Sequence, residues 1–434
     1  MQRPKKKLLV IQVAALGYDF LRRHHGETWH DLRFSALRSV FPAVTCTVQA
    51  SFRTGLRLSE HGMVANGIFC RDLRRAFFWE QSSALVCGQR LWEGFRRKGR
   101  RVAILFWQQS LCEAADIILS PAPIHKHGGG MIPSVYSRPP ELYAQLCEKV
   151  KGRFQLSRYW GPMADESSSE WIARATAALL QKSSLVPHLC LTYLPALDYA
   201  LQRHGPDAPR SAKALSRLLK QLRLLLDVAQ NMGYEVLIFG DYAVGPVIGK
   251  PVLPNLVFRK TGLLQVRSVG GRLYADLHSS RAFALVDHEV AHVYVQNPSD
   301  VTAVRGALHA LDGVERVLGS EEQRAEGLAH ARSGDLILLA NAGRWFAYAW
   351  WTQPKEAPDY AAHVDIHNKP GFDPCELFFG QFPWQTSLDL SRPRGSHGRN
   401  DDSRLAAWAA TCDFGCPTTL IDLAAAVKRW LENA

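Results

Sequence analysis

Long hydrophobic runs are missing from this chain. No stretch approaches the roughly 18 apolar residues that a membrane helix needs, so no membrane span is expected. A cysteine framework is missing too. The nine cysteines are odd in number, contain no C-x-x-C pair, and only Cys412 and Cys416 lie close together. That excludes a disulfide scaffold and a cysteine-built zinc site, and reads as reduced thiols in a cytoplasmic protein. Internal repeats and low-complexity segments are also absent. Acidic residues fall short of basic ones, 40 against 52, which leaves a net charge of +12. The basic residues gather at Lys5–Lys7 and at Arg96, Arg97, Lys98, Arg100 and Arg101. Aromatic residues are scattered, not interleaved with these clusters, so they read as solvated faces and no specific nucleic-acid partner is expected.

What is present is an ordinary globular composition, with 47% hydrophobic and 21% charged residues. A chain of 434 residues can bury a sizeable core, and length alone allows up to about three domains. The basic start followed by apolar Leu8–Leu16 imitates a short signal peptide, but it runs straight into a folded-looking segment and reads as a first strand. Apolar, β-branched runs recur at Leu8–Val13, Val102–Trp107, Ile117–Leu119, Leu189–Leu194 and Val236–Phe239. Helical periodicity fills the gaps, most clearly over Glu141–Val150, Ser169–Gln181 and Ala212–Met232. Strands alternating with helices predict an α/β fold with a doubly wound, mostly parallel sheet, whose ligands bind at the carboxyl ends of the strands. Residues 246–345 have a different character, with glycine and proline turns, short strands at Leu263–Val269 and Ala291–Val295, and a helix at Val301–Leu311. They are expected to form a smaller α+β insertion within a core made of residues 1–245 and 346–434, which closes with a helix over Pro417–Trp430.

One segment carries chemistry. In Phe41–Pro42–Ala43–Val44–Thr45, a prolyl turn leads to a threonine and then a helix-like run. A hydroxyl at a helix N-terminus sits where the dipole and free N–H groups favour an alkoxide and a phosphate. Taken alone, Thr45 reads as a helix N-cap. The neighbouring Thr54–Gly55 and Ser59–Glu60–His61–Gly62, followed by Asn66, change that reading.

This block resembles the nucleotide pyrophosphatase/phosphodiesterase family of the alkaline phosphatase superfamily. The resemblance implies an alkaline-phosphatase-like α/β fold. It also implies Thr45 as nucleophile and Asn66 as a donor to the transferred phosphoryl group. Three further blocks follow in the superfamily's order: Tyr193–Asp198 with Gln202–Pro206, Ile238–Tyr242, and Gly395–Gly398. Carried over, they make Asp198, Asp241 and His397 metal ligands. Two zinc ions about 4 Å apart would clamp the attacking and leaving oxygens of an in-line displacement, and carboxylate and imidazole suit zinc.

The pattern is incomplete, as in a divergent group of that superfamily. The first-strand aspartate falls near Ala14, one histidine falls on Gln202 and another on Tyr242, so three of six expected protein ligands survive. His204 is six residues from Asp198, where the pattern asks for four. Replacement ligands are sought in Asp365 and His367, which share a face if the stretch is extended, and in His288 of the Asp287–His292 cluster. The glycine-rich His125–Gly130 lacks a P-loop ending and reads as a loop. The sequence thus points to metal-dependent hydrolysis of a phosphodiester or pyrophosphate bond in a small phosphorylated substrate. The expected cofactor is zinc, as one or two ions, with manganese as the other candidate. The competing expectation is a degenerate, non-catalytic protein that binds a phosphorylated metabolite.

Overall fold

A computed structural model describes residues 6–127 and 131–434. The last three glycines of the His125–Gly130 loop, together with Lys5, lie outside the described residues.

The apolar runs become the centre of an eight-stranded sheet. Its order is Val135–Arg138, Ile117–Pro121, Val102–Leu105, Leu189–Leu194, Lys7–Val13, Tyr234–Gly240, Ala406–Ala410 and Ser35–Leu37. From Ile117–Pro121 to Tyr234–Gly240 the neighbours are parallel. Val135–Arg138 and Ala406–Ala410 run antiparallel at either side of that block. Continuous apolar sequence is what burial on both faces requires. Leu189–Leu194 is buried at every residue, and so is Lys7–Val13 after its first. The predicted helices cover the faces, as Leu142–Val150, Glu166–Leu180, Pro209–Asn231 and Leu420–Glu432. Pro209 sits in the first turn of its helix, where a missing N–H costs nothing.

Within residues 246–345 the strands predicted at Leu263–Val269 and Ala291–Val295 appear as Gln265–Val269 and Val290–Val295, and the predicted helix as Val301–His309. Val290–Val295 belongs to an antiparallel four-stranded sheet with Ala282–Asp287, Leu336–Ala340 and Val314–Leu318. Its first hairpin turns at His288–Glu289, with His288 at φ 59°. A non-glycine residue held in the left-handed region needs surroundings that over-determine it.

Two strand ends and one helix set the site. Val13 is opposite both Leu194 and Gly240, so these three strands end at one level. A Cβ on Gly240 would stand 2.2 Å from the Leu16 carbonyl oxygen, so only glycine lets Asp241 follow there. The Thr45–Thr54 helix is buried at all ten residues, polar ones included. Its polar side chains therefore bond inward. Arg53 donates to the carbonyls of Gln109 at 2.8 Å and Gln108 at 2.5 Å, and Gln49 accepts from the Gln108 N–H at 2.7 Å.

His61 belongs to this scaffold. Its Nδ1 accepts from the Met63 N–H at 3.1 Å, and Nε2 lies 2.8 Å from Ser51 Oγ. Burial is the main cause that holds its pKa down at about 3, and burial likewise lowers His292 to about 4. Both depart downward from a free histidine near 6.5. Their contribution to stability is therefore complete above about pH 6.5 and is lost as pH falls through the folded values. Melting temperatures measured from pH 7 to pH 4 should fall progressively. His61→Gln should flatten that slope, and an unchanged slope would assign the acid lability elsewhere.

Candidate active site

Thr45 is the first residue of its helix; the N-cap is Val44, and no side chain caps the end. The expectation of a capping hydroxyl is thus corrected. Thr45 Oγ1 instead lies 3.4 Å from the Tyr193 hydroxyl, and it also interacts with the hydroxyl of Tyr242. All three residues are buried.

Asn66 is fixed on both sides of its amide. Oδ1 accepts the Cys46 N–H at 3.0 Å, and Nδ2 donates to Asp287 Oδ1 at 3.1 Å. A donor on one side and a carboxylate on the other determine which end is oxygen. The backbone N–H of Asn66 donates to Asp287 Oδ2 at 2.7 Å. Asp287 also holds His288 Nδ1 at 2.7 Å. Burial, the largest influence, raises the Asp287 pKa to about 6. Asp287 was not singled out from the sequence; its only signal was a carboxylate at a strand end beside His288.

Asp198 and His397 come together. Asp198 Oδ1 and His397 Nε2 are 4.0 Å apart. Gln202, one helical turn on, donates Nε2 to Asp198 Oδ2 at 2.6 Å. Burial raises the Asp198 pKa to about 7, opposed by the bonds from Gln202 and Tyr242. His397 Nδ1 lies 2.8 Å from the Ala43 carbonyl oxygen, which makes Nδ1 the protonated nitrogen and leaves the lone pair on Nε2. The glycines of Gly395–Ser396–His397–Gly398 now have a physical reason. A Cβ on Gly395 would stand 2.3 Å from the Leu201 carbonyl oxygen, and Gly398 has φ +132°.

Rings fill the space beside this pair. Tyr242 stacks on His397 with centroids 3.5 Å apart. His397 lies 3.6 Å from His288, and His288 lies 3.6 Å from Phe372. His288 therefore reaches the cluster from a hairpin turn.

The expected replacement pair behaves differently. Residues 366–368 form a turn that runs into a bend at 369–371, so the extended register that would align Asp365 with His367 is absent. Both Asp365 oxygens accept from Asn368 Nδ2 at 2.9 Å. His367 Nδ1 lies 3.0 Å from the Phe78 carbonyl oxygen, on the strand paired with Gly67. His204 ends the Asp198 helix, while the buried neighbour of Asp198 is Gln202.

These donors can be tested against the two metals of the resemblance. For the first, Asp198 Oδ1 and Gln202 Oε1 are buried oxygens with no hydrogen-bond partner, and His397 offers Nε2 beside them. Unpartnered buried oxygens cost free energy unless something coordinates them, and a histidine anchored through Nδ1 is oriented as metal-ligating histidines are. This half fits one cation. The second half does not fit. Ala14 has no donor, Tyr242 is engaged with His397, and Asp241 is left as a single ligand that already holds N–H groups on both oxygens. Asp241 accepts from Ala15 N and Tyr242 N at 2.9 Å each and from Gln12 Nε2 at 3.3 Å. Among the described residues, no three of His, Cys, Asp and Glu converge as a metal site.

A mostly parallel sheet covered by helices, with ligand-type residues at the carboxyl ends of its strands, defines a doubly wound α/β fold. The sequence profile of the type I phosphodiesterase / nucleotide pyrophosphatase family matches residues 10–373, and the chain belongs to that family. The structure is similar to phosphonoacetate hydrolase from Sinorhizobium meliloti 1021 in complex with phosphonoformate, at 15% identity and a TM-score of 0.62. That match covers 98% of this chain and 95% of the other. It is also similar to murine ectonucleotide pyrophosphatase / phosphodiesterase 5, at 14% identity, a TM-score of 0.58 and coverage of 98% and 95%. The human counterpart matches at 16% identity with a TM-score of 0.59 and the same coverage. No curated protein sequence matches the chain at a significant level. Among the described residues, no helix is long and apolar enough to cross a membrane.

Proposed function

We propose that this protein hydrolyses a phosphodiester or pyrophosphate bond in a small phosphorylated substrate, with Thr45 as nucleophile and one divalent cation. The observation that carries the reading is Thr45 itself. Its hydroxyl is uncommitted to capping, stands at the start of a rigidly held helix, and has the Tyr193 and Tyr242 hydroxyls as its neighbours. An inactive form of the murine relative, carrying one threonine-to-alanine change, was solved in complex with AMP, which supports a threonine in this role.

Asp198, Gln202 and His397 would hold the cation, zinc or manganese by the chemistry of its donors. When bound, it supplies positive charge to a phosphoryl oxygen. Thr45 Oγ1 attacks phosphorus, its proton passes to water, and the ester oxygen leaves with the bonding pair and takes a proton from solvent. Water then displaces Thr45 and regenerates the hydroxyl. Asn66 Nδ2 carries two hydrogens; Asp287 takes one, and the other serves a phosphoryl oxygen. The helix N-terminus and its dipole favour the same negative charge.

The test is metal content by mass spectrometry together with turnover of bis(p-nitrophenyl) phosphate. We expect about one ion per chain, loss of turnover on chelation, and recovery on adding zinc or manganese. Two ions per chain would refute the single-cation site. A specific observation favours a second reading, that of a non-catalytic binder of phosphorylated metabolites. With Ala14 and Tyr242 at two ligand positions, Asp241 alone is too few donors for a metal on the nucleophile's side. Absent metal, and absent turnover after metal addition, would establish that reading instead. The cellular compartment assigned from reduced thiols remains part of this proposal; all nine cysteines are free in the structure.

A further inference from the structure

The second-metal half of the site is rebuilt from hydrogen-bond donors. Ala14 and Tyr242 stand where the resemblance places an aspartate and a histidine. Asp241, the surviving ligand of that half, stands alone there, with Ala15 N and Tyr242 N bonded to Oδ1 and Gln12 Nε2 to Oδ2. One buried carboxylate without the aspartate and the histidine is too few donors for a second cation. Two phenols occupy the space on the nucleophile's side. Tyr193 approaches Thr45 Oγ1 at 3.4 Å from the Leu189–Leu194 strand, and Tyr242 bridges Thr45 and Asp198. The ring stack on His397 at 3.5 Å fixes the Tyr242 ring. The Tyr193 ring is 4% exposed, in a fully buried strand.

We propose that the Tyr193 and Tyr242 hydroxyls do the work of the missing second metal, donating hydrogen bonds to Thr45 Oγ1 as it becomes anionic; Tyr242 turns its single O–H from Asp198 to Thr45 to do so. This rests on the Thr45 chemistry proposed above. Both phenols keep their protons throughout; they supply partial positive charge, not a base. A hydrogen bond to an ionised oxygen is roughly twice as strong as one between neutral groups, so the interaction is worth more in the transition state than before it. That differential is what accelerates a reaction. The 3.4 Å separation suits this role, because catalytic hydrogen bonds are often long without substrate and tighten in the reacting complex.

Tyr193→Phe and Tyr242→Phe test it, since each removes one O–H and keeps the ring. With bis(p-nitrophenyl) phosphate, each variant should lose about ten- to a hundredfold in kcat, the range for one bond to a charged group. KM should stay within about threefold, with the melting temperature and the single bound ion unchanged. A purely structural role would instead move the melting temperature or KM. Calorimetry supplies a readout free of turnover. Orthovanadate, which takes Thr45 as an axial ligand, should bind wild type at least about tenfold tighter than phosphate, and each variant should lose most of that preference. Either variant with kcat within about threefold of wild type overturns the inference. So does wild type that shows no preference for vanadate. An intact vanadate preference in a protein that turns over no diester would support the phenol role and refute the hydrolytic reading alone.

Discussion

Thr45→Ala should abolish turnover of bis(p-nitrophenyl) phosphate, by at least about 1,000-fold in kcat, equivalent to about 4 kcal/mol of barrier. The reason is local. Thr45 Oγ1 makes no cap and bonds no backbone carbonyl of its own helix; its neighbours are two phenolic hydroxyls. Removing it deletes the nucleophile without opening the scaffold, because the helix is held elsewhere. Arg53 ties its last turn to the Gln108 and Gln109 carbonyls, and Gln49 ties its middle to the Gln108 N–H. The melting temperature of the variant should therefore stay within a few degrees of wild type. Thr45→Ser keeps an attacking hydroxyl and should retain measurable turnover. Undiminished turnover in Thr45→Ala would remove threonine from the reaction. The control matters because Thr45 packs among buried groups: loss of both fold and activity would say nothing about chemistry.

The largest stability effect is expected at Lys369. This lysine is 1% exposed, and its Nζ donates to Asp373 Oδ2 and Glu376 Oε1, both at 2.7 Å. Glu376 also accepts from Trp160 Nε1 at 2.5 Å and from the Asp365 N–H at 2.9 Å. Both carboxylates are themselves buried. The attraction of the two carboxylates outweighs burial and holds the ammonium pKa above its ordinary value. Lys369→Met would leave two buried carboxylates without their cation, which costs about 3–5 kcal/mol. Chemical denaturation should register the loss as a lower midpoint with an unchanged slope. The consequence reaches the site. The same network anchors the segment carrying Phe372, whose ring stacks on His288 and packs against Trp160. Catalysis should therefore weaken below the melting transition, through a looser His288. A denaturation midpoint equal to wild type would mean that the triad contributes nothing net.

The residues that the sequence offered for the proposed site share a physical property. Thr45, Asp198 and Asp241 each follow an apolar run or a prolyl turn directly, so a strand or helix end could be placed beside them from sequence alone. Asn66 and His397 were legible because glycines mark the tight backbone around them. Asp287 was not, because its place depends on a hairpin of a second sheet meeting Asn66 from far along the chain. Neither were the two phenols. Tyrosine at a strand end usually means packing, and only the approach of Tyr193 and Tyr242 to one hydroxyl gives them another meaning. Asp365 and His367 failed in the opposite way. Their spacing suited a strand, but the asparagine at 368 bonds back to Asp365 and the chain turns.

The sequence by itself determined the layered α/β architecture and the helix that carries Thr45, and the resemblance to the family marked Ala14, Gln202 and Tyr242 as departures from its ligand pattern. Those are properties of local periodicity and residue identity. The tertiary structure alone decided how the losses are compensated. Burial leaves Asp198 and Gln202 with unpartnered oxygens, the pair on which the proposed cation rests. Three N–H donors bond Asp241. The physical reason is that hydrogen-bond satisfaction is a property of the assembled interior, set by groups hundreds of residues apart, and no stretch of chain contains it.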